Sequence, residues 1–103
     1  MALKLVFARQ ARRDLDGLLS YIAADDRHAA KAMQQRLDKA VRLLTEKPFM
    51  GPSASGLGRE DLRRFSVPPY IVFYAATMAR LEVVRVLHSS MDLDRPGLLD
   101  RRQ

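Results

Sequence analysis

The 103-residue sequence has no cysteine, no tryptophan and only two histidines, His28 and His88. Without thiols there are no disulfides, no thiolate chemistry and no Cys-ligated zinc. A metal site would have to be built on His28 or His88 with carboxylates, so neither a metal nor a cofactor is expected. Long hydrophobic runs are also missing. The N-terminal LKLVF is interrupted by Lys4 and too short for a signal-peptide core. No apolar run approaches the roughly 18 residues of a membrane-spanning helix. These absences predict a cytoplasmic protein with no membrane partner.

Acid is scarce relative to base. Eighteen Lys and Arg oppose twelve Asp and Glu, giving a formal charge of +6. Such a field attracts polyanions such as nucleic acid, a ribosome, an acidic protein or an acidic disordered tail, and it also serves simply to keep a surface soluble. The 48% hydrophobic and 29% charged content is that of a folded, soluble chain. Its length predicts one domain over residues 1–103.

The hydrophobic pattern changes period along the chain. Leu3, Leu5 and Phe7 alternate with Lys4 and Val6, which predicts a strand. From Ala8 to about Ala24 the apolar residues Ala11, Leu15, Leu18, Leu19, Ile22 and Ala23 fall at helical spacing. Asp25 and Asp26 break the pattern and supply carboxylates that can cap a second helix. Its stripe is Ala30, Met33, Leu37, Ala40, Val41 and Leu44, and Pro48 ends it. So short a joint forces an antiparallel helical hairpin with one common apolar side.

Residues 48–58, PFMGPSASGLG, have the composition of a loop. Three strand-like runs follow at 61–67, 70–75 and 81–88, and their short links predict antiparallel pairing. The tail from Met91 to Gln103 is read as a last helical turn or a frayed end. The expected architecture is α+β: an antiparallel sheet in β-α-α-β-β-β order, with the αα-hairpin packed on one face and the other face freer.

On this frame the residues able to carry chemistry or binding are few. Strict alternation along LEVVRVLH puts Glu82, Val84, Val86 and His88 on one face and Leu81, Val83, Arg85 and Leu87 on the other. If Arg85 faces the helices it needs a carboxylate or carbonyl partner, because an unpaired buried guanidinium is costly. His88, at the strand exit, is either satisfied locally or a proton carrier near neutral pH. His28 reads as a solvated or capping residue. Arg63 and Arg64 lie on opposite faces of their strand. With Arg59, Lys47 and the second-helix cations Arg27, Lys31, Arg36, Lys39 and Arg42 they can form a basic surface. Tyr70 and Tyr74 share a face with Val72, where they fill the core or stack on bases.

Taken in order, these pieces resemble the RelE/ParE superfamily of toxins from type II toxin–antitoxin systems. The matching pieces are an opening strand, an alanine-rich helix pair with YIA at 21–23, and Pro48 and Gly51 after it. Leu57 and Gly58 then precede Leu62 and Arg63, and YIVFY at 70–74 and VVRVLH at 83–88, followed by Asp92, complete the set. The strand ending in VLH resembles the ParE branch more than the nuclease branch.

The resemblance implies a toxin that inhibits DNA gyrase, serves plasmid stabilisation and needs no covalent chemistry. It also implies a cognate antitoxin whose acidic C-terminal segment wraps the toxin and whose N-terminal half binds operator DNA, so that the toxin meets the operator only indirectly. On that reading Arg59, Arg63, Arg64, Tyr70, Tyr74, Arg85 and His88 contact antitoxin or target.

The alternative branch implies a metal-independent endoribonuclease acting on mRNA in the ribosome. Its phosphate-binding and proton-handling groups would be Arg63, Arg64 and His88. Two departures count against it: Ser89 stands where some nuclease members carry a tyrosine, and the neutral PFMGPSASG replaces a basic cluster. A third possibility is a non-toxic relative serving only in the antitoxin complex and operon autoregulation.

Overall fold

The computed structural model describes residues 2–54 and 59–90. Leu57, Gly58 and the tail from Met91 lie outside them. The elements are β1 (Lys4–Phe7), α1 (Arg9–Asp25), α2 (Arg27–Glu46), β2 (Arg63–Val67), β3 (Tyr70–Ala76) and β4 (Arg80–His88).

A single residue, Asp26, joins the helices. Its backbone N–H closes α1 on the Ile22 carbonyl, and its carboxylate accepts from the Ala29 N–H at 3.1 Å to open α2. Asp26 does the capping expected of the aspartate pair, while Asp25 ends α1. All six predicted apolar positions of α2 are buried. On α1, Ala11 and Leu18 are buried, while Leu15, Leu19 and Ile22 pack from the rim. Full burial of side chains such as Leu37 and Leu44 contributes about 1.5–3 kcal/mol each.

The sheet runs in the order β1-β4-β3-β2. β2, β3 and β4 pair antiparallel as expected. β1 does not follow that expectation, because it lies parallel to β4 with Leu5 opposite Leu81 and Phe7 opposite Val83. The sheet is therefore mixed. Short links constrain only sequential strands. β1 is separated from β4 by the helical hairpin and two strands, a connection long enough for parallel pairing.

The helices cover one face of the sheet, over Tyr70, Val72, Tyr74, Leu81, Val83 and Val86. The opposite face carries a smaller cluster of Phe73, Val84 and Leu87 beneath Ala54 and Leu62. Here strict alternation fails. Val84 and Val86 were expected on the same face, as were Val83 and Leu87, yet each pair is divided between the two clusters. Tyr74 pairs with Val83 and Phe73 with Arg85, so Val84 is the extra residue of a β-bulge and everything after it changes sides. Among the described residues no helix is long and apolar enough to cross a membrane.

Candidate interaction surfaces

The guanidinium in the middle of β4 meets a carboxylate. Arg85 donates from Nε to Asp14 Oδ2 at 2.8 Å and from Nη2 to Asp14 Oδ1 at 3.1 Å. Asp14 Oδ2 also accepts from the Val86 N–H at 3.0 Å. β1 covers β4 only as far as Val83, so Asp14 supplies the acceptor that the missing strand would have provided. Both side chains are largely enclosed, Arg85 at 15% exposure and Asp14 at 12%. The Arg85 question thus resolves to an ion pair within the fold.

Tyr74 and Arg63 hold the turn after α2. Tyr74 is fully buried, donates to the Pro48 carbonyl at 2.9 Å and accepts from the Gly51 N–H at 3.0 Å. Burial pushes its phenol above the ordinary value of 10.0, opposed by the Gly51 hydrogen bond and the positive charge of Arg63. Arg63 Nη1 donates to the carbonyls of Gly51 at 2.8 Å and Phe49 at 3.3 Å. Its guanidinium lies 5.0 Å from the Phe49 ring centroid. A Cβ on Gly51 would press into the Arg64 carbonyl oxygen and approach the Tyr74 hydroxyl to 2.7 Å. Only glycine fits there.

His88 sits at the opposite end of the sheet. Its Nδ1 accepts from the Ser90 N–H at 3.0 Å, with Ser90 Oγ at 2.7 Å, and its ring meets the buried Tyr70 edge-on at 5.4 Å. Tyr70 and Tyr74 both belong to the core rather than to an exposed stacking platform. Arg59 is bound bidentately to Asp61 at 3.0 and 2.6 Å, and Arg64 is exposed on β2.

Of the three residues named for the nuclease alternative, Arg63 pairs with Tyr74, Arg64 with Phe73 and His88 with Tyr70, which sets His88 three to four positions along β3, about 10–13 Å, from the two arginines and on the other strand flanking it. Among the described residues no set of three His, Asp or Glu side chains could hold a metal ion.

A groove runs between the helices. Its deeper part, about 220 Å³, has an apolar floor of Leu15, Leu37, Val41 and Val86 with Arg12, Asp16 and Asp38 on its rim. Leu19 and Gln34 continue it toward the hairpin tip, where Arg27 and Lys31 flank it. Arg12 is held in place over the Phe7 ring, 4.7 Å from its centroid.

The family model described as "ParE toxin of type II toxin-antitoxin system, parDE" matches residues 5–93. The chain belongs to this ParE toxin family. It is 32% identical over 88 residues to Toxin ParE1 of Caulobacter vibrioides, covering 82% of this chain and 88% of that protein. It is 27% identical over 88 residues to Toxin RelE1 of the same organism, covering 85% of this chain and 95% of that protein. The solved structure titled "Chromosomal ParDE TA system from P. aeruginosa" shares the fold, with a TM-score of 0.69 at 17% identity over 84% of this chain and 96% of that one.

For a ParE-family toxin the features that the sequence reading missed are Asp14, Phe49 and the groove. Asp14 had a signal: it lies three residues after Ala11 and four before Leu18, a carboxylate at the edge of the apolar stripe. Phe49 had none, because its exposure depends on a turn built by residues far along the chain. The groove had none either, because it depends on how far the two helices diverge over the sheet.

Proposed function

We propose that this ParE-family toxin acts by inhibiting DNA gyrase and is held inactive by a cognate antitoxin whose acidic, amphipathic C-terminal segment lies along the α1–α2 groove. The observation that carries the inhibitor reading is the dispersal of the nuclease candidates. Arg63 turns Nη1 onto the Phe49 and Gly51 carbonyls, Arg64 is exposed opposite Phe73 of β3, and His88 lies at the far end of the sheet. General acid–base cleavage of RNA needs a base, an acid and phosphate-binding cations around one phosphate. An inhibitor needs only a surface.

Support for the antitoxin seat comes from the groove itself. Its apolar floor asks for apolar side chains at helical spacing; Arg27 and Lys31 favour carboxylates at the hairpin-tip end, while Arg12 stands beside Asp16 and Asp38 in the deeper part. A +6 chain adds long-range attraction for such a segment.

Supercoiling assays with purified gyrase test the reading. The protein should block supercoiling and accumulate cleaved plasmid, and an excess of its antitoxin should restore activity. The likeness to Toxin RelE1 keeps ribosome-dependent mRNA cleavage as the competing reading. Cut messages in a translating extract, together with unaffected gyrase, would decide for that branch.

A further inference from the structure

We propose that Phe49 and Met50 form a preorganised apolar knob that inserts into a pocket on the toxin's protein target, with Lys47 and Arg64 facing carboxylates around that pocket. The inference rests on the inhibitor reading and names the surface that performs it.

Phe49 is 70% exposed and Met50 40%, adjacent residues on a short turn. The exposed Met78, Tyr21 and Leu43 stand on other elements, Met78 at the β3–β4 turn, Tyr21 near the C-terminal end of α1 and Leu43 near the end of α2. What distinguishes Phe49 and Met50 is the rigidity beneath them. Five hydrogen bonds fix this turn: Tyr74 to Pro48, Gly51 to Tyr74, Arg63 to Gly51 and to Phe49, and Met50 N–H to the Lys47 carbonyl at 3.1 Å. The missing Cβ of Gly51 lets the chain press against β2, and the Arg63 guanidinium supports one side of the Phe49 ring.

A turn whose backbone is held this firmly avoids the loop-ordering part of the cost of binding, while the side chains still pay for their rotamers. Aromatic residues, Met and Arg are enriched at the centres of protein interfaces. A shallow pocket lined by Met50, Pro52, Arg64 and Ile71 continues the apolar surface onto the open side of the sheet. It shares no lining residue with the helical groove, so antitoxin and target contacts fall on different residues.

The partner is a protein rather than a nucleic acid. Arg63 turns Nη1 onto two loop carbonyls, and Met50 offers a polarisable apolar surface with nothing for a base edge to bond. Lys47 and Arg64, both exposed, set the expected sign of the pocket's rim.

The test compares the wild type with the double variant F49S/M50S and with Lys47→Glu, using purified gyrase and purified antitoxin. We expect F49S/M50S to need at least tenfold more protein for half-inhibition of supercoiling, with antitoxin Kd within twofold and an unchanged thermal midpoint. Lys47→Glu should weaken inhibition more at low salt than at high salt. Unchanged inhibition by F49S/M50S overturns the knob, as does a parallel loss of antitoxin binding, which would give this surface to the antitoxin. If the wild type spares gyrase but arrests growth on expression, the gyrase reading fails and growth arrest becomes the measure: its loss in F49S/M50S upholds the knob. Arrest through mRNA cleavage that F49S/M50S abolishes makes Phe49 a base-stacking residue and overturns the proposal. A wild type that arrests neither gyrase nor growth overturns both.

Discussion

Asp14 and Arg85 are 71 positions apart in the sequence and form a two-bonded ion pair, with the Val86 N–H as third partner of the same carboxylate. One side chain of α1 thereby neutralises a guanidinium and finishes the edge of β4 that β1 leaves uncovered.

Removing one member of this pair should cost more than removing both. Asp14→Ala takes the carboxylate away from the largely enclosed guanidinium and the acceptor away from the Val86 N–H, with an expected loss of about 3 kcal/mol. The double variant Asp14→Ala with Arg85→Met should recover part of it. Urea unfolding of the four chains of this cycle measures the coupling. Single-variant costs that simply add up to that of the double variant would show that the pair contributes nothing beyond the Val86 bond.

Gly51→Ala should destabilise the fold by about 1–3 kcal/mol, because the added methyl must displace both the Arg64 carbonyl and the Tyr74 hydroxyl. Gly17→Ala is the control. Nothing lies within 4 Å of a Cβ there, and alanine is the better helix former by about 0.8–1 kcal/mol, so the thermal midpoint should rise.

Tyr74 predicts an alkaline limit to stability. Its folded pKa is raised, so the native state keeps the phenol proton longer than the unfolded state does. The contribution is fully present below the ordinary tyrosine pKa near 10 and is lost as pH rises through the folded value. Denaturant midpoints measured between pH 8 and 11 should fall more steeply for the wild type than for Tyr74→Phe. Tyr74→Phe should itself be weaker by about 1–2 kcal/mol at neutral pH, because the Pro48 carbonyl and Gly51 N–H lose their partner.

Leu19 is part of both stretches of the helical groove and is only partly buried. Leu19→Glu should therefore leave the fold intact while weakening the purified antitoxin by about 10–100-fold, the range of an interface hot spot at about 1.4 kcal/mol per tenfold. Calorimetric titration checks it. An unaltered Kd would remove the antitoxin from this groove.

The secondary structure was legible because its signals are local. The α2 stripe from Ala30 to Leu44, the Asp26 cap and the stop at Pro48 depend on residues a few positions apart. Register and pairing were less so. The parallel docking of β1 is decided by which strand edge stands free once the hairpin has folded back, and that is a property of the whole sheet. The bulge at Val84 moved half of β4 to the other face, and a run as uniformly apolar as VVRVLH carries no mark of where the extra residue falls. Arg63 was legible as a residue that needed explaining, but its partners are backbone carbonyls, and any residue could have supplied those.

The pairing of Leu5 with Leu81 also governs when the molecule becomes whole during synthesis. The helical hairpin forms from local contacts, but β1 has no neighbour until β4 has left the ribosomal tunnel, and contacts this distant in sequence close late. The nascent chain therefore stays without a finished sheet until β4 has been made and has emerged. Force-sensitive arrest of chains truncated on either side of β4 should register that closing step.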